Sequence, residues 1–500
     1  MGVLPRAYLL SVVQINRSDP TPVYRQIYES LRQAINCGQL EANLRLPSTR
    51  DMAELLGVSR NTVLDAVGQL VAEGYLETRQ GSGTYVTGYL PDGLLRANGS
   101  GRATLVAGAP KRTVSRRGEL LAGTEFTPRR HTNPRYVFTI GMPAVEEFPF
   151  DVWSRLMSRH YRHGPLSLFD YNLSEPAGYP PLRAAIAAYL KTARAMQCDS
   201  EQVIICNGSQ QALFIASRVL LDAGDKAWIE DPGYLGARWA LHSAEAQVIP
   251  VSVDMDGLIV EEGIAKAPDA RLVYVTPSLQ FPIGCTMNLK RRSELLNWAN
   301  RNDAWIVEDD YDHEFRYVGH PLMSLQGLDS AGRVIYIGTF SKVMFPALRM
   351  GYVVVPKDLV NIFTSVRTLM DLRTPTVQQA AMNDFIREGH FMRHIRRARG
   401  LYARRRRHLL EQIDEHLGGL LTPGISDAGM HLVGWLPDSI SDELVFSEAE
   451  KIGVEILPIS RFYIGEPDRS GIILGYTAAH EADITWGVRA LKDVLLRLQK

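Results

Sequence analysis

Lys342 follows the short β-prone run RVIYIG (333–338), with Thr339 and Ser341 just ahead of it. A lysine leaving the carboxyl end of a strand stands where ligands collect in open α/β sheets, and its amine can form a Schiff base with an aldehyde. Asp309 lies 33 residues earlier, at the end of a second such run, AWIVED (304–309), so both ends converge on one side of a sheet. A carboxylate opposite a pyridine nitrogen keeps that nitrogen protonated, so the pair matches what pyridoxal phosphate requires. Tyr311, two residues on, can hydrogen-bond the phenolic oxygen of such a ring. Gly208, Ser209 and Gln210 open a helix directly after EQVIIC (201–206), and helix-start amides without partners make a phosphate seat. Arg349, seven residues after the lysine, adds a charge-assisted clamp, and Tyr234, in EDPGY, can stack on the ring. Each feature alone has a plain structural reading. A strand-end lysine is usually at the surface, Gly-Ser before a helix is usually a cap, and DDYDHE (309–314) reads equally as a solvated turn or a metal loop. Their order along the chain favours the cofactor.

A second constellation lies near the start. A helix expected over 59–73 presents Ser59, Arg60, Asn61 and Thr62 in its first turn. Arginine can bond guanine bidentately and asparagine adenine, while hydroxyls and helix-start amides suit phosphates. Arg50 sits in the first turn of the preceding short helix, and Gly81, Ser82 and Gly83 form a hairpin tip suited to a minor groove. The plainer reading is a capped helical hairpin, since helix-turn-helix geometry also serves protein contacts.

The elements that must position these residues are legible in the periodicity. Val23, Ile27, Leu31 and Ile35 recur every fourth residue, Pro47 and Ser48 open a short helix that Gly57 closes, and Val63, Ala66, Val67 and Leu70 form the stripe of the next helix. Two β-prone runs around Gln80–Gly83 then predict a hairpin, which completes a winged helix-turn-helix over 1–88. Residues 89–135 are rich in Gly, Ala, Ser, Thr and Arg, with the basic pairs Lys111-Arg112, Arg116-Arg117 and Arg129-Arg130, and are expected to be a flexible basic linker. From 136 to 500 strands alternate with helices, which predicts a large, mostly parallel α/β domain and a smaller α+β piece starting near 360.

Composition agrees with this division. At 500 residues the chain calls for more than one core, and 45% apolar with 22% charged residues is a globular balance. The 55 basic and 55 acidic residues are unevenly placed: residues 1–135 hold 17 against 11 and the remainder 38 against 44. A basic module on an acidic body suits a polyanion partner. Cys37, Cys198, Cys206 and Cys285 lack CxxC spacing, so neither a disulfide framework nor a metal site is expected. With no export signal and no membrane-length apolar run, the expected setting is the cytoplasm.

The segment LPSTRDMAELLGVSRNTVLDAVGQLVAEGYLETRQGSGTYV (46–86) resembles the winged helix of the GntR family of bacterial transcription regulators. The segments YNLSEPAGYPPLRAAIAAYL, ICNGSQQAL, IEDPGYLGAR, VEDDYDHEFRY and GTFSKVMFPALRMGY resemble fold type I aminotransferases, with Ser209, Tyr234, Asp309 and Lys342 in the matching order. The fusion is similar to the MocR subfamily of GntR regulators. That resemblance implies pyridoxal phosphate held by Lys342, a domain-swapped, head-to-tail homodimer on double-stranded DNA, and sensing of a small-molecule effector (an amine, an amino acid or pyridoxal phosphate itself) without productive turnover. Two departures bear on this. The aminotransferase Pro-Asn-Pro-x-Gly stands here as Gln280-Phe281-Pro282-Ile283-Gly284, and no arginine falls in GIILGY (471–476), although Arg461 and Arg469 are near. The rival readings are a working aminotransferase with an appended DNA-binding domain and a DNA-binding protein on an inert scaffold. The basic run RHIRRARGLYARRRRH (393–408) is expected to be a solvated helix, or else a contact for DNA or a partner.

Overall fold

In the N-terminal part, apolar residues at helical spacing have one place to go, which is against each other. Ile27, Leu31 and Ile35 of the helix Val23–Asn36 are buried, and they share a core with Met52 and Ala53 of Thr49–Leu56 and Val63, Ala66, Val67 and Leu70 of Arg60–Ala72. Ser48 caps the second of these helices by accepting from the Asp51 amide at 3.1 Å, and Gly57 ends it in the left-handed conformation at φ 62°. The hairpin pairs Leu76–Arg79 with Gly83–Val86, Arg79 opposite Gly83. The computed structural model describes residues 6–79, 82–88, 113–123, 137–319, 323–424 and 426–499, so Gly81 of the expected wing tip lies outside the described residues. The chain divides into two compact units, Met1–Thr113 and Val114–Lys500.

The second unit is built on an eight-stranded sheet in the order Val203–Cys206, Gly351–Val354, Val334–Thr339, Trp305–Asp310, Leu272–Val275, Lys226–Asp231, Gln247–Asp254, Gly257–Leu258. The five strands from Val334–Thr339 to Gln247–Asp254 run parallel. Gly351–Val354 is antiparallel to both of its neighbours, and the edge strand Gly257–Leu258 to its own. VIIC, LVYV and VIYIGT are buried at every position, as strands covered on both faces must be.

Register decides where the site lies. Asp309 pairs with Ile337 and Asp310 with Gly338, so the strand carrying Asp309 and the strand preceding Lys342 finish together. Gly351 stands opposite both Thr339 and Cys206, which brings the start of the helix Ser209–Leu220 to the same edge.

A second, antiparallel sheet joins Thr422–Pro423, His431–Trp435, Gly471–Gly475 and Leu457–Pro458 in that order. This smaller piece does not begin near 360 as the sequence suggested. Phe363 of the helix Val360–Asp371 packs into the core beneath the large sheet, and the small sheet instead gains a bridge from Phe138 to Gly475. The smaller piece thus draws on both ends of the unit.

The expected linker also contains structure. Arg116–Ala122 is a helix capped by Ser115, and Arg117 reaches Glu245, beyond the helix Leu235–Ser243, at 2.8 Å. Lys111-Arg112 and Arg129-Arg130 lie outside the described residues. The basic run falls on the long helix His390–Leu417 and is only partly solvated, because Arg399 bonds the Glu314 carbonyl at 2.9 Å and Arg405 and Arg406 bond the carbonyls of Thr477 and Ser426. Among the described residues, no helix is long and apolar enough to cross a membrane.

Candidate functional site

Lys342 lies half-buried at the carboxyl edge of the large sheet, where its Nζ donates to the Gly141 carbonyl at 3.0 Å. Gly141 has φ 65°, and a Cβ there would lie 2.5 Å from Nζ, so only glycine leaves the amine its place. Burial lowers the lysine's pKa, against the raising pull of Asp312 and Asp309.

Asp309 is 4% exposed. Its Oδ2 accepts from the Tyr274 hydroxyl at 2.9 Å, while Oδ1 is buried with no partner. Desolvation lifts its carboxyl to about 7, opposed by the Tyr274 bond and the charge of Lys342. The Tyr311 hydroxyl and the Ser341 Oγ are also buried and unpartnered, and Thr339 Oγ1 accepts from the Ser341 amide at 3.2 Å. Burial first, then the charges of Asp312 and Asp309, keep the Tyr311 phenol protonated.

The remaining expected residues close the space. Gly208, at φ 88°, precedes Ser209 at the start of the helix Ser209–Leu220, and a Cβ on it would meet the Arg349 guanidinium at 3.3 Å. Arg349 bonds the Asn207 carbonyl at 3.2 Å. The Gln210 side chain is engaged with its neighbours: its amide donates to the Gly236 carbonyl at 2.8 Å and its oxygen accepts from Tyr234 at 3.3 Å. Phe281 lies edge-on to both Tyr234 (5.9 Å) and Tyr311 (6.1 Å). It thus occupies the heart of the site with a ring in place of an amide. Gln280 turns away, donating to the Pro232 carbonyl at 2.8 Å.

Three buried polar atoms without partners, one carboxylate oxygen and two hydroxyls, are costly unless something arrives to bond them, at about 1–3 kcal/mol each. A pyridine nitrogen bearing a proton, a phenolic oxygen and a phosphate supply the complementary groups. The residues present therefore fit pyridoxal phosphate. Sequence reasoning passed over Gly141 and Tyr274, which meet Lys342 and Asp309 from separate segments.

Ile473, in the segment GIILGY that carries no arginine, packs with Val433, Ile459 and Phe462. Arg461 is held by Glu443 through two bonds of 2.6 and 2.7 Å, and Arg469 lies over the Trp435 ring at 4.8 Å.

In the N-terminal unit, Ser59 proves to be the cap of the helix Arg60–Ala72, its Oγ accepting from the Thr62 amide at 3.1 Å and bonding the Thr62 hydroxyl at 2.8 Å. Those two hydroxyls are committed to the helix start. Arg50, Arg60 and Asn61 are exposed. Gly83 has φ 115°, and a Cβ there would meet Arg45 Nε at 3.0 Å.

The model of aminotransferase class I and II matches residues 170–479, and that of the bacterial regulatory proteins of the gntR family matches 23–86. The probable rhizopine catabolism regulatory protein MocR of Rhizobium meliloti is 44% identical over 486 residues, covering 97% of this chain and 96% of that protein. This chain belongs to the MocR subfamily of GntR-family regulators. The HTH-type transcriptional regulator TauR of Rhodobacter capsulatus is 30% identical, with 94% of this chain and 96% of TauR covered. The kynurenine aminotransferase of Pyrococcus horikoshii, solved with PMP and kynurenine, superposes at a TM-score of 0.68 with 29% identity, covering 78% of this chain and 96% of that one. A MocR-subfamily chain of this build is a DNA-binding transcription regulator that carries an aminotransferase-like domain.

Proposed function

We propose that this regulator uses pyridoxal phosphate, seated at Lys342, to sense a small amine in the cytoplasm, and that it reads an operator through Arg60, Asn61 and Arg50. The observation that carries the reading is the enclosed seat of unpartnered polar atoms around the lysine, in a chain that also bears a DNA-binding module. When bound, pyridoxal phosphate supplies an aldehyde carbon that condenses with amines. The chain's own residues do the rest. Asp309 holds a proton at the ring nitrogen through Oδ1 while Tyr274 orients its other oxygen. Tyr311 would donate to the phenolic oxygen, and Ser209, Thr339, Ser341 and Arg349 would hold the phosphate. Tyr234, steadied by Gln210, would stack on the ring.

Ser59 and Thr62 contribute to DNA binding by shaping the helix start, and Gly83 by keeping the wing close to Arg45. Residues 1–88 form the DNA-binding domain, 89–135 the connection with its short helix, and 136–500 the sensing domain. A second copy is the natural cover for the exposed apolar residues Leu166, Phe169, Tyr171 and Leu369, whose two segments are tied by the Arg373 bond to the Ser174 carbonyl at 3.3 Å. Productive turnover is disfavoured by Phe281 and by the apolar surroundings of Ile473.

The test is the visible absorption of the purified chain with added pyridoxal phosphate, before and after borohydride, beside Lys342→Ala. A lysine-dependent band abolished by borohydride is expected, with operator binding retained in the variant. No band in the native protein overturns the cofactor assignment. Arg60→Ala should weaken operator binding by about ten- to a hundred-fold, the loss of one good base contact, and unchanged affinity would overturn the DNA-reading assignment.

A further inference from the structure

Between 393 and 408 the helix His390–Leu417 carries eight arginines and two histidines, and no acid. Three of the arginines serve the fold, since Arg399, Arg405 and Arg406 bond the carbonyls of Glu314, Thr477 and Ser426. Of the other five, Arg393, Arg396, Arg397, Arg404 and Arg407, every one is exposed. At about 3.6 residues per turn these five fall within an arc of about 100°, and a rise of about 1.5 Å per residue spreads them over about 21 Å. The three that bond inward fall on the other side of the helix. Past Arg407 the same face turns acidic, with Glu411, Asp414 and Glu415 exposed, so the basic stripe has an end.

The fold does not explain this stripe. Among the described residues none of the five arginines pairs with a carboxylate. Arg393 and Arg404 reach only the carbonyls of Glu388 and Gly400, at 3.1 and 3.4 Å, and the Glu388 carboxylate is held by Arg159 at 2.6 Å. Arg393, Arg396 and Arg397 stand in the first two turns, where the helix dipole disfavours cations, and Arg393 and Arg397 are like charges four residues apart. Gly400 lies in the middle of the arc, inside a helix, where glycine costs stability. A Cβ on it would meet nothing within 4 Å, so no packing within the chain calls for a glycine there. A close approach from outside does.

We propose that this stripe is a second DNA-binding surface, on which Arg393, Arg396, Arg397, Arg404 and Arg407 hold phosphates of the duplex that flanks the operator. This rests on the reading of the winged helix as the operator reader. Charge complementarity favours double-stranded DNA, which carries about one negative charge per 1.7 Å of its axis. A stripe of about 21 Å exceeds the roughly 12 Å width of a major groove, so it can reach phosphates on both of its sides. Guanidinium groups bond phosphate oxygens in pairs. The chain already bears a DNA-binding module, and a duplex held by one unit is at high effective concentration for the other. Such contacts add affinity and salt dependence but read no sequence.

The experiment uses the full chain and a duplex that it recovers from a random-sequence pool, either with long flanks or trimmed to the selected sequence. Affinity is measured by fluorescence anisotropy across salt concentrations for the native protein and for the triple variants of Arg397, Arg404 and Arg407 to Ala and to Lys. On the flanked duplex the Ala variant should bind about tenfold or more weakly, and its slope of log affinity against log salt should shrink by about 0.9 per lost contact, about 2–3 in all. On the trimmed duplex it should match the native protein, and the Lys variant should keep most of the native slope. An unchanged slope on the flanked duplex overturns the proposal, as does a Lys variant as weak as the Ala one. Light scattering that shows the Ala variant falling from dimer to monomer assigns the face to a second copy and also overturns it. Should the Ala variant lose its helical circular dichroism, Arg404→Glu alone decides by the same slope. Arg60→Ala, run beside these, should lose preference for the selected over a scrambled sequence. If it keeps that preference while the stripe variant loses slope, the operator reading fails and the surface stands, whereas the reverse result sinks the surface alone. A native chain that binds neither duplex overturns both.

Discussion

Replacing Asp309 by asparagine removes a charge that the fold itself resists. Burial lifts this carboxyl from 3.8 to about 7. A group raised by folding stabilises the native state fully below its unfolded pKa, and that contribution is lost as pH rises through the folded one. Between about pH 5 and about pH 7 the unfolded chain has released the proton and the folded chain still holds it. The native state therefore loses about 1.4 kcal/mol per pH unit, roughly 3 kcal/mol over the interval. The substituted asparagine cannot ionise and lacks this slope, while its oxygen can still accept from Tyr274. Glu230, also lifted to about 7, chiefly by burial and to a lesser degree by the Asp309 charge, gives both proteins a similar background, most of which cancels in the difference. All seven tryptophans lie between 153 and 486, so urea unfolding followed by intrinsic fluorescence reports on the aminotransferase-like unit alone. Without pyridoxal phosphate, Asp309→Asn should gain about 2–3 kcal/mol on the native protein between about pH 5 and about pH 7. With it, the slope of the native protein should shrink, because a protonated ring nitrogen gives Asp309 a positive partner. A variant-minus-native difference constant to within about 0.5 kcal/mol across that range, well below the linkage expected, would refute the reasoning.

Three further outcomes follow from the geometry. Gly141→Ala puts a methyl 2.5 Å from the Lys342 amine at φ 65°, and the left-handed backbone alone costs an alanine about 1–2 kcal/mol. Spectrophotometric titration should show cofactor affinity falling about tenfold or more with operator binding unchanged, and an unaltered affinity would count against the enclosure of the amine. Ser59→Ala removes the cap of the helix Arg60–Ala72 and should cost about 1 kcal/mol of stability in the N-terminal unit, with operator affinity lowered alongside; calorimetry showing no change would refute the stabilising role of the cap. Leu31→Ala, at a fully buried position among three helices, should cost about 2–5 kcal/mol, seen as loss of the N-terminal transition while the tryptophan signal stays put.

Much of the site was legible because its chemistry is carried by short segments. Lys342, Asp309, Tyr311, Ser209 and Arg349 lie at strand ends or helix starts, where local pattern places a residue, and the register Asp309–Ile337 brings two of those ends together as alternating α/β elements require. Gln210 was legible as a neighbour of the phosphate seat but not as the prop of Tyr234, because that depends on Gly236, 26 residues away. Ser59 and Thr62 read equally as DNA contacts and as caps, and the 2.8 Å bond between their hydroxyls favours the cap.

The sequence by itself determined the order of modules, the winged helix from its every-fourth-residue stripe and glycine stops and the α/β class from its alternation, and it singled out Lys342 and Asp309 as the candidate pair. Periodicity and turn chemistry are local, so they survive without knowledge of the fold. Tertiary structure alone decided the rest. It brought Tyr274 onto Asp309 and Gly141 onto Lys342 across 35 and 201 residues of chain, turned Arg405 and Arg406 inward, and joined Phe138 to the small sheet at Gly475. It also left Asp312 buried without a hydrogen bond of its own at Oδ2. Whether a buried polar atom has a partner depends on every segment packed around it, and a linear pattern does not encode that.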